Sequence, residues 1–391
     1  MSTRRYALVA GGGTGGHLVP ALAVARALGE GHGPDAVELV GARRGLDAQL
    51  LAGEGVPVTL LPGRGIARRL DARSMLANVG AVVGLVAAFV AALVVVIRRR
   101  PSVVVAMGGF ACVPTAMAAA VVGIPVVLVN VDAVPGAANR LVGRFARAAA
   151  VAFEGTALPR AVVTGAPVRA VIVDGAHPDE AARSAARDAL GLPSHRLVVA
   201  AVGGSLGSKR LNEAVIELAE LWAKRRDVAL YHVVGRRDWS WASPAAPRQP
   251  PQSEGDTLCY IQVPYEEKMA LFYQAADVVV ARAGANTVAE LAVVGVPAIL
   301  VPLPGAPGDH QRANAAVLER AGGALVIPDS QCRGPRLATE IDILAADPGR
   351  LRAMGAAAAV VGRPDAVTSV AALARSHART PRRGARVAHG F

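Results

Sequence analysis

One local pattern occurs twice in this chain and limits what the rest can become. Residues Tyr6 to Ala10 (YALVA) form a short apolar run that ends in Gly11-Gly12-Gly13-Thr14-Gly15-Gly16 and continues into a helical pattern from His17 to Leu28. Residues 197–204 (LVVAAVGG) repeat the order, passing through Ser205-Leu206-Gly207-Ser208 into a helix from about Leu211. A strand that runs through a glycine turn into a helix opens a doubly wound α/β sheet. After the first copy come the apolar runs VELVG at 37–41, VTLL at 58–61, SVVVAM at 102–107 and PVVLVN at 125–130. After the second come ALYHVV at 229–234, DVVVAR at 277–282 and AILVPL at 298–303. Continuous apolar strands alternating with helices predict parallel sheets covered on both faces. The expected fold class is therefore α/β, with two similar doubly wound domains and a ligand cleft at the carboxyl ends of their sheets.

The length, 391 residues, suits two domains of ~100–200 residues each. The reading places an N-terminal domain at 1–166 and a C-terminal domain at 167–350. Helices at 351–374 are expected to pack back on the N-terminal domain, and 375–391, with five Arg and no acid, to be a disordered basic tail. An apolar content of 53% excludes a disordered chain. Cys112, Cys259 and Cys332 lie far apart, so no disulfide framework or zinc site is expected, and a reducing compartment is the default. The histidines show no HxH or HExxH spacing; no cofactor is required, and a divalent cation is possible without a visible ligand cluster. The first apolar run is too short for a signal peptide. A net charge of +12 favours anions: a phosphorylated ligand, an anionic membrane surface or nucleic acid. Nucleic acid is set aside, because the basic residues cluster at 64–100 and in the tail and aromatics for stacking make up only 4%. Oligomeric state is not legible.

Met75 to Ile97 is apolar apart from Asn78, with Arg64, Arg68, Arg69 and Arg73 before it and Arg98, Arg99 and Arg100 after it. It is long enough to span a bilayer. Spanning would put the 6–10 and 102–107 strands on opposite sides of the membrane, although the pattern assigns them to one sheet. Two readings remain: an Ala/Val helix buried on the sheet, or one that leaves an apolar patch ringed by arginine to rest on an anionic membrane.

Gly11-x-Gly13-x-x-Gly16 formally matches a dinucleotide fingerprint, but the second strand ends Gly41-Ala42-Arg43-Arg44 with no acid for a ribose. Arginine there could suit a 2′-phosphate, so a nicotinamide oxidoreductase stays open. The broader reading is a helix N-terminus with exposed N–H groups that takes any phosphate or diphosphate.

The run Gly12-Gly13-Thr14-Gly15-Gly16-His17-x-x-Pro20-Ala21-Leu22-Ala23 resembles the first glycine loop of the MurG family. Met107-Gly108-Gly109-Phe110 resembles the second loop, where Tyr is commoner than Phe, and Gly123-Ile124-Pro125 and Pro135-Gly136-x-x-Asn139 follow in register. Gly165-x-Pro167-Val168-Arg169 resembles the domain junction, and Gly203-Gly204-Ser205-x-Gly207 with Asn212 the third loop. Arg282-x-Gly284-Ala285-x-Thr287-x-x-Glu290 and Asp309-His310-Gln311-x-x-Asn314 resemble the donor signature.

The resemblance implies a GT-B fold and an inverting transfer of GlcNAc from UDP-GlcNAc to an undecaprenyl-diphosphate-linked muramyl-pentapeptide at the cytoplasmic membrane face, by a peripheral enzyme. It assigns the donor to Thr14, Gly15, Gly16, Asp132, Arg169, Ser205, Arg282, Gly284, Ala285, Thr287, Glu290, Gln311 and Asn314. It assigns the acceptor diphosphate to Gly13, His17, Gly108, Gly109, Phe110 and Asn139. The chemistry fits. A Glu290 carboxylate can accept both ribose hydroxyls, Arg282 and the Ser205 loop can meet the diphosphate, and the Gln311 and Asn314 amides suit sugar hydroxyls.

Attack of a sugar hydroxyl on the anomeric carbon needs a proton acceptor, and His17 suits that role or that of orienting the acceptor diphosphate. Where the family usually reads His-Glu-Gln-Asn, this chain has Val129-Asn130-Val131-Asp132. Asn130 cannot be a base. Three readings follow: Asp132 substitutes for the missing Glu, His17 acts alone, or the acceptor differs; a transferase for another lipid or small acceptor and a UDP-sugar-binding paralogue of reduced activity are the alternatives.

Overall fold

A computed structural model of the chain describes residues 4–12, 15–33, 35–43, 55–63, 72–204, 206–245 and 257–379. Two sheets form in it. The first contains β1 (Ala7–Ala10), β2 (Val37–Ala42), β3 (Val58–Leu61), β4 (Val103–Ala106), β5 (Val126–Asn130), β6 (Ala148–Val151) and β7 (Ala161–Val163), in the order β3-β2-β1-β4-β5-β6-β7. The second contains β8 (Leu197–Val202), β9 (Val228–Val233), β10 (Cys259–Val263), β11 (Val278–Ala281), β12 (Ala298–Leu300) and β13 (Ala324–Val326), in the order β10-β9-β8-β11-β12-β13. Every neighbouring pair among these strands is parallel. The doubly wound architecture expected from the glycine turns is what forms, twice.

Four strands do not stand out as apolar runs. β6 is AAAV and β10 is CYIQV; their strand state comes from pairing with β5 and β9 rather than from their own β-propensity. β7 and β13 are three-residue strands at the outer edges of their sheets.

The chain divides into two compact units, Met1–Asn130 with Pro135–Thr164 and Asp365–Phe391, and Val131–Val134 with Gly165–Pro364. The C-terminal helices differ from the expected single block. Helix Pro348–Val361 belongs to the second unit, where Met354 and Ala358 are buried, and helix Ala366–His377 belongs to the first, where it buries Val370, Ala371 and Ala374. Pro348–His377 is long and apolar enough to cross a membrane, but it is these two helices, interrupted between Val361 and Ala366. The basic tail is also ordered further than expected. Arg375 donates to Ala27 O and the Arg379 amide donates to Ser102 O at 2.9 Å, so 375–379 are fastened to the first unit. The remainder of the tail, 380–391, lies outside the described residues.

Helix Ala72–Arg99 connects β3 to β4 within one sheet and therefore does not traverse a bilayer. Its inner stripe, Ala88, Ala92 and Val96, is fully buried in the core of the first unit. Its outer stripe, Val83, Val86, Val90, Val94 and Ile97, is 47–66% exposed. The inner stripe repeats every four residues and the outer one every three or four, as a helix lying on a sheet requires. Of the two sequence readings, the helix is half of each: packed on one side, bare and apolar on the other.

The end of this helix is held by a buried carboxylate. Glu38 on β2 is 1% exposed and meets Arg99 Nε at 2.7 Å and Arg5 Nε at 3.1 Å, while Thr59 Oγ1 donates to it. Removing one partner of such a buried set is costly, since it leaves the others charged and unmatched. Glu38→Ala is expected to lower unfolding stability by about 3 kcal/mol, read as a lower urea midpoint for the first unit. An unchanged midpoint would show that the two arginines are solvated surface groups.

Candidate functional site

In each sheet the strand order reverses once: between β1 and β4 in the first, and between β8 and β11 in the second. Connections leave such a pair toward opposite faces, and a crevice opens at the carboxyl ends. All three glycine loops fall there.

In the first unit β1 runs into Gly11 and helix Gly15–Gly29, and β4 runs into Met107-Gly108-Gly109-Phe110. These two loops press together. Gly109 has φ of +77°, and a Cβ on it would stand 1.8 Å from the Gly12 carbonyl oxygen, so only glycine fits. The Met107 amide donates to Ala10 O at 2.7 Å and closes the pair. Phe110 is half-buried against the core of this unit. His17 is the third residue of the Gly15–Gly29 helix, placing its backbone at the crevice end of that helix with Gly15 and Gly16. Gly13 and Thr14 lie outside the described residues. Asn139 donates to Asn130 Oδ1 at 2.9 Å; Asn130, 1% exposed at the end of β5, is thus bound as a neutral amide.

In the second unit β8 runs into Gly203-Gly204 and helix Lys209–Leu221, which Ser208 precedes as its N-cap residue. Ser205 lies outside the described residues. Gly207, at φ +87°, sits so close to Val234 O and Asp238 Oδ2 that a Cβ would meet them at 2.4 and 2.8 Å. Behind Asp238 runs a buried polar chain that the sequence reading missed. Asn212 Nδ2 donates to Asp238 Oδ2 at 3.1 Å and to Val234 O at 3.0 Å, which leaves Asn212 Oδ1 to accept from His232 Nε2 at 3.0 Å. His232 is therefore the neutral Nε2–H tautomer, and its Nδ1 accepts from Tyr260 Oη at 2.9 Å. Burial pushes the His232 pKa down to about 3. The available signal was His232 within the apolar run 229–234: a buried His must find partners.

Arg282 follows β11 and is buried. Its Nε donates to Ser208 Oγ at 2.8 Å, its Nη1 donates to Val301 O at 3.1 Å, and Asp329 pairs with it at 2.7 Å. Its charge is matched inside the protein, where it braces the start of the Lys209–Leu221 helix. Asn314 is held in the same way. It is fully buried; its Oδ1 accepts from the Ala133 amide at 2.8 Å, and its Nδ2 donates to Asp132 Oδ1 at 3.0 Å and to Ala283 O at 3.2 Å. What Asn314 does is tie segment 131–134, and with it Asp132, to the second unit. Gln311 Oε1 accepts from the Leu303 amide at 2.9 Å.

Gly284 and Ala285 start helix Ala285–Val294, with Thr287 in its first turn and Glu290 two turns in. The Glu290 side chain is 13% exposed, and Arg169 Nη2 stands 3.6 Å from its Oε1. Tyr273 Oη donates to its Oε2 at 2.8 Å. Burial pushes the Glu290 pKa up from the ordinary carboxylate value, while Arg169 and Tyr273 pull it back. The structure thus brings together Arg169 and Glu290, and separately Asp132 and Asn314. Tyr273 was not legible: it lies on another helix, and no spacing rule connects it to Glu290. Among the described residues no group of three His, Cys, Asp or Glu gathers as a metal site.

The chain matches the glycosyltransferase family 28 N-terminal domain over residues 7–151 and the glycosyltransferase family 28 C-terminal domain over residues 198–370. It is 36% identical over 93% of its length to a Desulforudis audaxviator protein, of which it covers 96%. It is 41% identical over 95% of its length to one from Alkalilimnicola ehrlichii, of which it covers 99%. Both are named UDP-N-acetylglucosamine–N-acetylmuramyl-(pentapeptide) pyrophosphoryl-undecaprenol N-acetylglucosamine transferase. Among solved structures it superposes on Acinetobacter baumannii MurG with a TM-score of 0.72 at 27% identity, covering 95% of this chain and 99% of that one.

The buried His232 makes a linkage prediction. Its folded pKa, about 3, lies below the unfolded value near 6.5, so the unfolded chain binds the extra proton between these limits. Stability contributed by the neutral ring is present above pH ~6.5 and is lost as pH falls toward 3, with a slope approaching ~1.4 kcal/mol per pH unit. His232→Gln should flatten the pH dependence of unfolding free energy by that slope between pH 4 and 6. Parallel curves for the two proteins would mean that the ring titrates freely.

Proposed function

We propose a reaction on a plain premise: the chain belongs to glycosyltransferase family 28 and, within it, to the MurG family. It is an inverting GT-B glycosyltransferase that moves GlcNAc from UDP-GlcNAc to undecaprenyl-diphosphate-linked MurNAc-pentapeptide, giving the disaccharide lipid used for peptidoglycan. The observation that carries this is near-full-length likeness to transferases named for that reaction.

On this reading the second unit takes the donor. Glu290 accepts the ribose hydroxyls, and the Gly203–Gly207 loop with the N-terminus of helix Lys209–Leu221 takes the diphosphate. The first unit takes the acceptor diphosphate at the loops that end β1 and β4. His17 or Asp132 removes the proton from the attacking hydroxyl as C1 leaves UDP. The reading is tested by transfer of label from UDP-GlcNAc to lipid I, with lipid-free acceptors beside it and a chelator arm for a divalent cation. Loss of the base should cut kcat ~10²–10⁴-fold with donor affinity intact, in His17→Ala or in Asp132→Asn. Full turnover in both variants removes both residues from the role, and transfer only to lipid-free acceptors overturns the acceptor.

The lipid acceptor brings the enzyme to a bilayer, and the outer face of helix Ala72–Arg99 is suited to meet it peripherally. Five aliphatic side chains stand exposed there, and Arg98 and Arg100 are exposed at its end. Arg99 is excluded from any test because it holds Glu38. Exposed arginines near an anionic surface contribute ~1 kcal/mol each. Arg98→Gln with Arg100→Gln should weaken binding to phosphatidylglycerol vesicles by up to ~2 kcal/mol, with salt weakening the unaltered protein in the same direction. Absence of vesicle binding by the unaltered protein would leave the apolar stripe without this role.

A further inference from the structure

We propose that Tyr273 is a positioning residue for the nucleotide: its hydroxyl holds one oxygen of Glu290 and so keeps the carboxylate open to the ribose hydroxyls. The inference rests on the reading of Glu290 as the ribose acceptor.

Glu290 has two polar neighbours, and they act differently. Tyr273 Oη is 2.8 Å from Oε2, a directional hydrogen bond. Arg169 Nη2 is 3.6 Å from Oε1, an ion pair too long for a hydrogen bond, and Arg169 Nε is buried with no hydrogen-bond partner among the described residues. The arginine therefore supplies charge, and the tyrosine supplies direction. A guanidinium beside a carboxylate tends toward a two-pronged pair that takes both oxygens. Here Oε2 accepts from Tyr273, and Arg169 stands at Oε1 alone rather than across both oxygens. A carboxylate has about four lone-pair sites; one is used by Tyr273, and enough remain for two vicinal hydroxyls.

The ring alone does not need the hydroxyl. Tyr273 is 1% exposed and packs edge-to-face on Phe272 with centroids 5.2 Å apart, contacts a phenylalanine would keep. The residue ends in an oxygen that reaches Glu290, and a buried hydroxyl without such a partner is unfavourable. Tyr273 also precedes β11, whereas Glu290 follows it, so the bond joins the two helices that flank the strand at the reversal point.

The test is a double-mutant cycle read by calorimetry with UDP and 2′-deoxy-UDP on the full chain, using Tyr273→Phe, Glu290→Gln and the pair, with thermal melts confirming folding. Tyr273→Phe is expected to raise the UDP Kd roughly tenfold, to narrow the preference for UDP over 2′-deoxy-UDP, and to leave kcat at saturating donor nearly unchanged. In the Glu290→Gln background the same change should have less than about a twofold effect, because little remains for the hydroxyl to hold in place. An unchanged Kd in Tyr273→Phe overturns the proposal, and so does an equal loss in both backgrounds, which would mark a general packing role. If Glu290→Gln itself leaves UDP affinity and the deoxy preference unaltered, the ribose assignment fails and the proposal with it, a result separable from the first two.

Discussion

The reversal of strand order in a parallel sheet is the constraint on which the rest depends. Where two adjacent strands send their connections to opposite faces, nothing covers their carboxyl ends, and the peptide groups there must be served by the loops themselves. This chain does so with glycine at both reversals. A side chain at Gly109 would strike the Gly12 carbonyl, and one at Gly207 would strike Val234 O. Those glycines are demanded by backbone meeting backbone, before any ligand is considered. Phosphate binding then comes from the same geometry, since N–H groups with no side chains in front of them sit at a helix N-terminus. Glycine loops alone therefore cannot distinguish a dinucleotide enzyme from a sugar transferase.

The frame was legible because it depends on runs. Continuous apolar stretches, several of them running into glycine, located nine strands with their loops, since burial on both faces leaves few polar positions in such a strand. β6 and β10 carry too little of that signal, and a neighbouring strand made up the difference. Side-chain roles were less legible, for a consistent reason. A basic or amide residue beside a strand end can serve a ligand or the protein, and the deciding partner is remote in sequence. Arg282 is matched by Asp329, and Asn314 by Ala133 and Asp132, from different parts of the chain. The hydrogen-bond donor to Glu290, Tyr273, carries no motif.

Charge is sorted by burial. Glu38 and Arg282 sit among partners of opposite sign, and Arg187 pairs with Asp277 at 2.7 Å. Buried ions left unmatched would be severely unfavourable. The surplus behind the net charge of +12 must then lie where water or an external anion can meet it. Arg98 and Arg100, exposed beyond a helix that also bares five aliphatic side chains, are one such place.

At residues 129–132 the chain carries an amide, Asn130, and a carboxylate two residues on, Asp132. Asn130 is buried and bonded to Asn139 as a neutral pair, so the end of β5 needs no counter-ion. The carboxylate stands two residues on, at Asp132, in a segment that Asn314 fastens to the second unit. A bare carboxylate beside a nucleotide diphosphate would repel it; the donated hydrogen bond from Asn314 spreads part of that charge. The two candidate bases then differ in what protonation does. A histidine that takes the proton becomes a cation, which attracts the diphosphate leaving group. An aspartate that takes it becomes neutral, which removes a repulsion already present. Both lower the energy of the charge-separated state relative to the ground state, and both do so only if the proton arrives as the donor bond breaks. The exchange of Glu for Asn at 130 therefore need not disable the reaction, provided that the acidity lost at the end of β5 is supplied by one of these two groups.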